Sequence, residues 1–177
     1  METYKRFLVL DTETTGLKPD RGDRIIEIAL IEIFKGRITG NRFHSYFNTN
    51  VIITKKNYRI HGISNKFLLK KPKFMEKSEE ILSFIGDSIL VAHNALFDAK
   101  FLLNEYKIIG KKIKLKIIDT LRIFRKIFPG KRNNLKFLCD RYGIKIIKKH
   151  SALYDASSLA LLFIELLKSK KLNKLQR

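Results

Sequence analysis

The chain has 177 residues, 45% of them hydrophobic, and a net charge of +20; that suits one domain with a substantial core and excludes a disordered polymer. No apolar run reaches the ~18 residues a membrane span needs, and the first ten residues lead into a strand instead of a signal peptide, so a cytoplasmic protein is expected. The single cysteine, Cys139, excludes a disulfide framework and a cysteine-rich zinc site, and it reads as a small buried hydrophobe.

In chain order, Phe7–Leu10 reads as a buried central strand, Arg24–Phe34 as a second strand, and Arg37–Phe47 as a third after a turn at Gly36. A loop holding His61-Gly62-Ile63 and a helix over about Lys73–Phe84 follow. Ile89–Ala92 is another buried strand, leading to a helix over about Ala95–Tyr106. Lys114–Ile118 makes a fifth strand, and Asp119 is placed to cap a helix over Thr120–Phe128 that Pro129-Gly130 ends. Asn133 or Asn134 caps Leu135–Tyr142, with Gly143 at its C-terminus, and the last helix spans about Ala152–Lys168. Strands first, then alternating strand and helix, predict an α/β fold: a mixed five-stranded sheet flanked by helices. No internal repeat or linker interrupts it, so residues 1–177 read as one domain, with its core at about 6–167 and a basic tail at 168–177.

Three distant fragments carry the chemistry: Asp11-Thr-Glu-Thr-Thr-Gly16, His93-Asn-Ala-Leu-Phe-Asp98 and His150-Ser-Ala-Leu-Tyr-Asp155. Asp11 and Glu13 are two apart at a strand end, so both point to one face. Thr14-Thr15-Gly16 then turns, and its backbone N–H groups could approach a terminal nucleotide; a plain polar surface turn is the alternative. Asp98 falls in the first turn of a helix that Asn94 can cap, where the dipole favours a negative charge with or without a function. His93 reads as a hydrogen-bonded structural residue. His150 and Asp155 would diverge on one continuous helix. They converge only if His150 lies in the preceding loop and Ser151 caps the helix bearing Asp155. Taken singly, His150 reads more readily as a solvated histidine beside the basic run at 145–149.

Four converging carboxylates need cations to neutralise them. Oxygen ligands select hard ions, so the set predicts two Mg²⁺ or Mn²⁺ per site: one acidifies a water that His150 deprotonates, the other stabilises a departing 3′-oxygen. The positive charge then fits a polyanionic partner, although abundant Lys, Ile, Asn and Phe also fit the drift of an AT-rich genome.

These fragments resemble the three motifs of the DEDDh 3′→5′ exonucleases, which have an RNase H-like exonuclease fold. The resemblance puts Asp11, Glu13, Asp98 and Asp155 on the metal ligands and His150 on the general base. Over about Arg6–Leu167, further segments (Arg37–His44, His61–Ile63, Ile118–Leu121 and Phe128–Leu135) are similar to the proofreading epsilon subunits of bacterial DNA polymerase III. This implies removal of mispaired nucleotides from a DNA 3′ end as 5′-monophosphates. It also implies that Asp11, Glu13, Thr14, His61 and Asp155 touch the substrate, His61 at the terminal nucleotide. The partners implied are a single-stranded or frayed DNA 3′ end and the polymerase III alpha subunit, without a membrane. An RNA 3′-end-trimming relative is the alternative, and a non-catalytic basic nucleic-acid-binding module is a third. Lys56 stands where the epsilon pattern carries an acid that contacts the sugar, and Leu172–Arg177 replaces the Gly-Gly-Gln stretch and polymerase-binding tail, so a tether to alpha is not expected in its usual form.

Overall fold

The first two strands are buried almost throughout, which places them inside a sheet with a core on each face. The structure, a computed structural model, describes residues 5–147 and 150–169. Strand β1 (Arg6–Thr14) pairs antiparallel with β2 (Ile25–Phe34), which pairs antiparallel with β3 (Arg37–Tyr46) through a turn with positive φ at Lys35 and Gly36. Helices α1 (Lys55–His61), α2 (Asn65–Leu68) and α3 (Phe74–Ile85) lead to β4 (Ile89–Ala92), parallel to β1. Helix α4 (Ala95–Ile108) crosses to β5 (Ile117–Asp119), parallel to β4, and α5 (Thr120–Ile127), α6 (Leu135–Arg141) and α7 (Ala152–Lys168) follow. The sheet order is β3-β2-β1-β4-β5, the mixed five-stranded arrangement expected.

Phe7 and Val9 face one way, into a core with Phe124, Leu138, Leu159 and Phe163 of the last three helices. Leu8 and Leu10 face the other way, onto Ile81 of α3 and Phe101, Leu102 and Tyr106 of α4. That period of two carries into the acidic segment, so Asp11 and Glu13 continue the α7 side while Thr12 continues the α4 side. Helix α4 is clamped to the sheet by Glu105, whose carboxylate accepts from Arg24 Nε (2.8 Å), Arg24 Nη2 (2.6 Å) and the Ile25 N–H (3.0 Å).

The elements differ from expectation in four places. Strand β1 runs on through both acids to Thr14, because β2 pairs with it along that whole length. His61 lies not in a loop but at the end of helix α1, which Thr54 caps and Gly62 (φ 71°) terminates; this helix buries no apolar residue that would announce it, only His61. Helix α2 is additional. Strand β5 is displaced to Ile117–Asp119, where it pairs with Leu90, Val91 and Ala92 of the four-residue β4. Cys139 is buried, as expected. The tail beyond Ser169 lies outside the described residues. Among the described residues, no helix is long and apolar enough to cross a membrane.

Candidate active site

The acidic fragments meet where β1 runs out between its two flanking helices. Glu13, from the end of β1, and Asp155, from the first turn of α7, come together with His150, and one ligand atom of each lies within 4.8 Å of the others. His150 sits in the segment before α7 with a left-handed backbone (φ 55°), and its N–H donates to Asp155 Oδ2 at 3.0 Å. This bond fixes the loop against the helix start, so imidazole and carboxylate converge as the spacing required. Ser151 occupies the N-cap position but makes no side-chain cap; its hydroxyl donates instead to Glu27 Oε1 at 3.2 Å.

Asp98 arrives from the opposite face of the sheet. It is buried in the first turn of α4, and Thr12, the residue between the two acids of β1, donates its hydroxyl to Asp98 Oδ1 at 2.7 Å. Asn94 precedes this helix in a left-handed conformation (φ 72°) without a side-chain cap, so it turns the chain and does not cap it. His93 is the structural residue expected, with its ring nitrogens on Thr120 Oγ1 (3.0 Å) and the Asn133 carbonyl (2.8 Å). Asp119 caps α5 by accepting from Leu121 N–H at 2.9 Å.

The carboxylates strain against one another. Burial, then the charges of Asp98, Glu13, Asp155 and Glu27, push Asp11 well above the usual carboxylate range. Burial and the charges of Glu27, Asp155 and Asp98 raise Glu13 to about 8. Burial raises Asp98 to about 7 despite the opposing Thr12 bond. Asp155 is raised by burial, with the His150 N–H pulling the other way. Such a cluster ionises fully only beside cations, and an all-carboxylate oxygen set with one imidazole suits a hard divalent ion.

The turn after β1 is built from its own side chains. The Thr14 hydroxyl donates to the Gly16 carbonyl (2.6 Å), and a Cβ on Gly16 would meet the Asp23 carboxylate at 2.3 Å. Asn57 of α1 donates to the Thr15 carbonyl, tying this turn to the helix that carries His61. His61 is buried, and its Nδ1 accepts from the Ile63 N–H at 3.0 Å, which leaves the proton on Nε2. That Nε2 is buried and has no protein partner. Burial lowers the His61 pKa, with the charge of Glu27 opposing and that of His150 reinforcing.

A family model for exonucleases of the RNase T type matches residues 8–163. The chain belongs to this exonuclease family. The exonuclease is 44% identical over 171 residues to the DNA polymerase III subunit epsilon of Buchnera aphidicola (subsp. Baizongia pistaciae), covering 90% of this chain and 70% of the relative. It is 41% identical over 170 residues to the subunit epsilon of Escherichia coli, again covering 90% of this chain and 70% of the relative. Among solved structures, Exonuclease X in complex with 5′-overhanging duplex DNA superposes with a TM-score of 0.74 at 25% identity, covering 92% of each chain. The nuclease domain of 3′hExo, a DEDDh family member bound to rAMP, superposes with a TM-score of 0.81 at 15% identity, covering 94% of this chain and 93% of that one. The fold is therefore the RNase H-like exonuclease fold.

One residue of the exonuclease's site is absent from the sequence reading. Glu27 stands opposite Glu13 in the β1–β2 ladder and is 1% exposed. Its Oε1 faces His44 Nε2 at 2.8 Å and accepts from Ser151, while Oε2 has no protein partner. Burial alone would raise the Glu27 pKa, but the bonds from His44, the Ala152 backbone and Ser151 outweigh it and hold the group below the usual glutamate range. The signal was visible: a lone acid in the apolar run Ile25-Ile-Glu-Ile-Ala-Leu-Ile31.

Proposed function

We propose that this exonuclease removes nucleotides from the 3′ end of DNA as 5′-monophosphates, acting as the proofreading epsilon subunit of a bacterial DNA polymerase III. The observation that carries the chemistry is the meeting of Glu13, Asp155 and His150 within 4.8 Å. The biological role follows from relatives at 41% and 44% identity that bear the name subunit epsilon. Residues 6–167 form the working core of a single domain in the cytoplasm, and the alpha subunit is the polymerase partner.

Asp11, Glu13, Asp98 and Asp155 hold two Mg²⁺ or Mn²⁺ ions. When bound, such ions would offset the repulsion among the carboxylates and would supply the charge that acidifies a water and balances a departing 3′-oxygen. His150 accepts the water's proton; its bond to Asp155 keeps the ring beside that carboxylate. The His61 Nε2–H is free to donate to the terminal nucleotide, and the Thr14–Gly16 turn supports that nucleotide from the β1 side. Asp11, Glu13 and Asp155 border the same nucleotide.

The test is shortening of a 5′-labelled DNA strand with Mg²⁺ or Mn²⁺. A ladder growing from the 3′ end is expected, faster on a mispaired terminus. Asp11→Ala should silence it and His150→Ala should slow it about 10²–10⁴-fold, with the fold retained by circular dichroism. Strong preference for a matched RNA strand would reject proofreading, and full activity in both variants would reject the site.

A further inference from the structure

Three adjoining depressions leave the site as one path. The first, about 350 Å³, is lined by His150 and Asp155 together with Asn134 and Lys136. The second, about 390 Å³, shares Asn134 and adds Arg125 and Lys131. The third, about 750 Å³, shares Arg125 and adds Arg122 and Lys126. The path follows the rim where the parallel strands β4 and β5 end, the edge at which open α/β sheets take ligands. Among the described residues five cations line it, all exposed, and one of them, Lys136, is paired with Asp140. Among the described lining residues, Asp119 is the one carboxylate beyond Asp155, and its oxygen already accepts from the N–H groups of Leu121 and Asn94.

We infer that this groove holds the single strand upstream of the scissile linkage, with Arg125 and Lys131 at its centre as phosphate contacts. The inference rests on the exonuclease reading above for which end of the strand lies at His150. Cations spaced along an open groove bind the repeating phosphate of a strand without reading its bases, and each contact releases counterions. A neutral or cationic ligand would find no complement here. The surface also gives part of the +20 charge a location, on one side of the site and along one rim.

The test separates strand binding from hydrolysis. Binding of a fluorescein-labelled twelve-nucleotide thymidine strand, in EDTA, is measured by anisotropy across a salt series for wild type and for Arg125→Gln/Lys131→Gln. The double variant should bind about tenfold more weakly, with a log–log salt slope smaller by about 1.4. Its kcat/KM for the twelve-nucleotide strand, relative to that for a dinucleotide, should fall by a similar factor, because a dinucleotide is too short to follow the groove. Lys107→Gln/Lys112→Gln, at the opposite end of α4, is the control and should change neither. Unchanged affinity in the first pair, or an equal loss in the control, would overturn the groove. A wild type that binds the strand but hydrolyses no nucleic-acid end would instead overturn the exonuclease reading, and the groove would still be judged by its binding.

Discussion

Glu13 and Glu27 face each other across the β1–β2 ladder, and both side chains lie on the α7 side of the sheet. Two acids in that register repel, and the geometry decides which of them keeps its proton. Glu27 has His44, Ser151 and the Ala152 N–H to stabilise its charge, while Glu13 has only further acids and His150 around it. Glu27 therefore remains ionised and Glu13 is raised to about 8.

Replacing Glu27 by Gln removes this charge while keeping the side chain's shape and a carbonyl for Ser151. In metal-free protein, the Glu13 carboxyl should then titrate below about 8, as followed by carbon-detected NMR of the glutamate carboxyls. Activity should also fall, because the start of α7, which carries His150 and Asp155, loses part of its anchor. A Glu13 midpoint that does not move would show that Glu27 plays no part in raising it, leaving burial and the charges of Asp155 and Asp98.

Thr12 offers a second, independent control on the cluster. Its hydroxyl bond to Asp98 favours the ionised acid and opposes the burial that raises Asp98 to about 7. Thr12→Val keeps the volume and loses the bond, at a stability cost of about 1 kcal/mol. Asp98 then holds its proton to higher pH, so the acid limb of the pH–rate profile should move toward alkaline pH. The plateau should be largely recovered there. An unshifted limb would mean that another group governs it.

The sequence displayed the chemistry better than the scaffolding. The strand–loop–helix placement of Asp11, Glu13, Asp98, His150 and Asp155 was readable because short apolar runs flank each acid and fix which face it takes. The sheet was readable for the same reason. Helix α1 was not, because Lys55-Lys-Asn-Tyr-Arg-Ile-His61 is polar almost all round, and only the Thr54 cap and Gly62 mark its ends. The roles of Asn94 and Ser151 were misjudged because cap preference describes a residue type, whereas tertiary partners decide what the side chain does. Glu27 escaped because a single strand does not reveal which residues of another strand will stand opposite it.

Glu105 is where the scaffold should fail first. It is 1% exposed and is the shared acceptor for Arg24 and the Ile25 N–H, joining α4 to the start of β2. Glu105→Ala leaves a half-buried guanidinium and a buried backbone donor without that acceptor, and should cost about 2–4 kcal/mol in urea denaturation. Because α4 carries Asp98, residual activity should fall more steeply with temperature than in wild type. A loss below about 0.5 kcal/mol would show that water replaces the clamp.

The same electrostatics gives the metal-free protein an unusual pH dependence. Glu13 and Asp98 are raised in the folded state, to about 8 and about 7. The folded chain thus binds these protons more tightly than the unfolded chain. Their contribution is fully present below the unfolded carboxylate range, and it is lost as pH rises through about 7 and 8. Glu27 acts with the opposite sign: its depressed pKa contributes stability at neutral pH that disappears in acid. The metal-free protein should therefore be most stable in weak acid, and its Tm should fall by a few degrees between pH 5.5 and 8.5. Millimolar Mg²⁺ should reverse most of that fall at pH 8.5 and do little at pH 5.5, where protons already neutralise part of the cluster. Asp11→Asn should flatten the metal-free profile and raise its alkaline Tm while abolishing hydrolysis, because the repulsion that weakens the empty cluster is what attracts the cations. Calorimetry across this pH range, with and without Mg²⁺, reads all three outcomes. A Tm that rises steadily with pH in EDTA would mean that the acids are not in mutual repulsion.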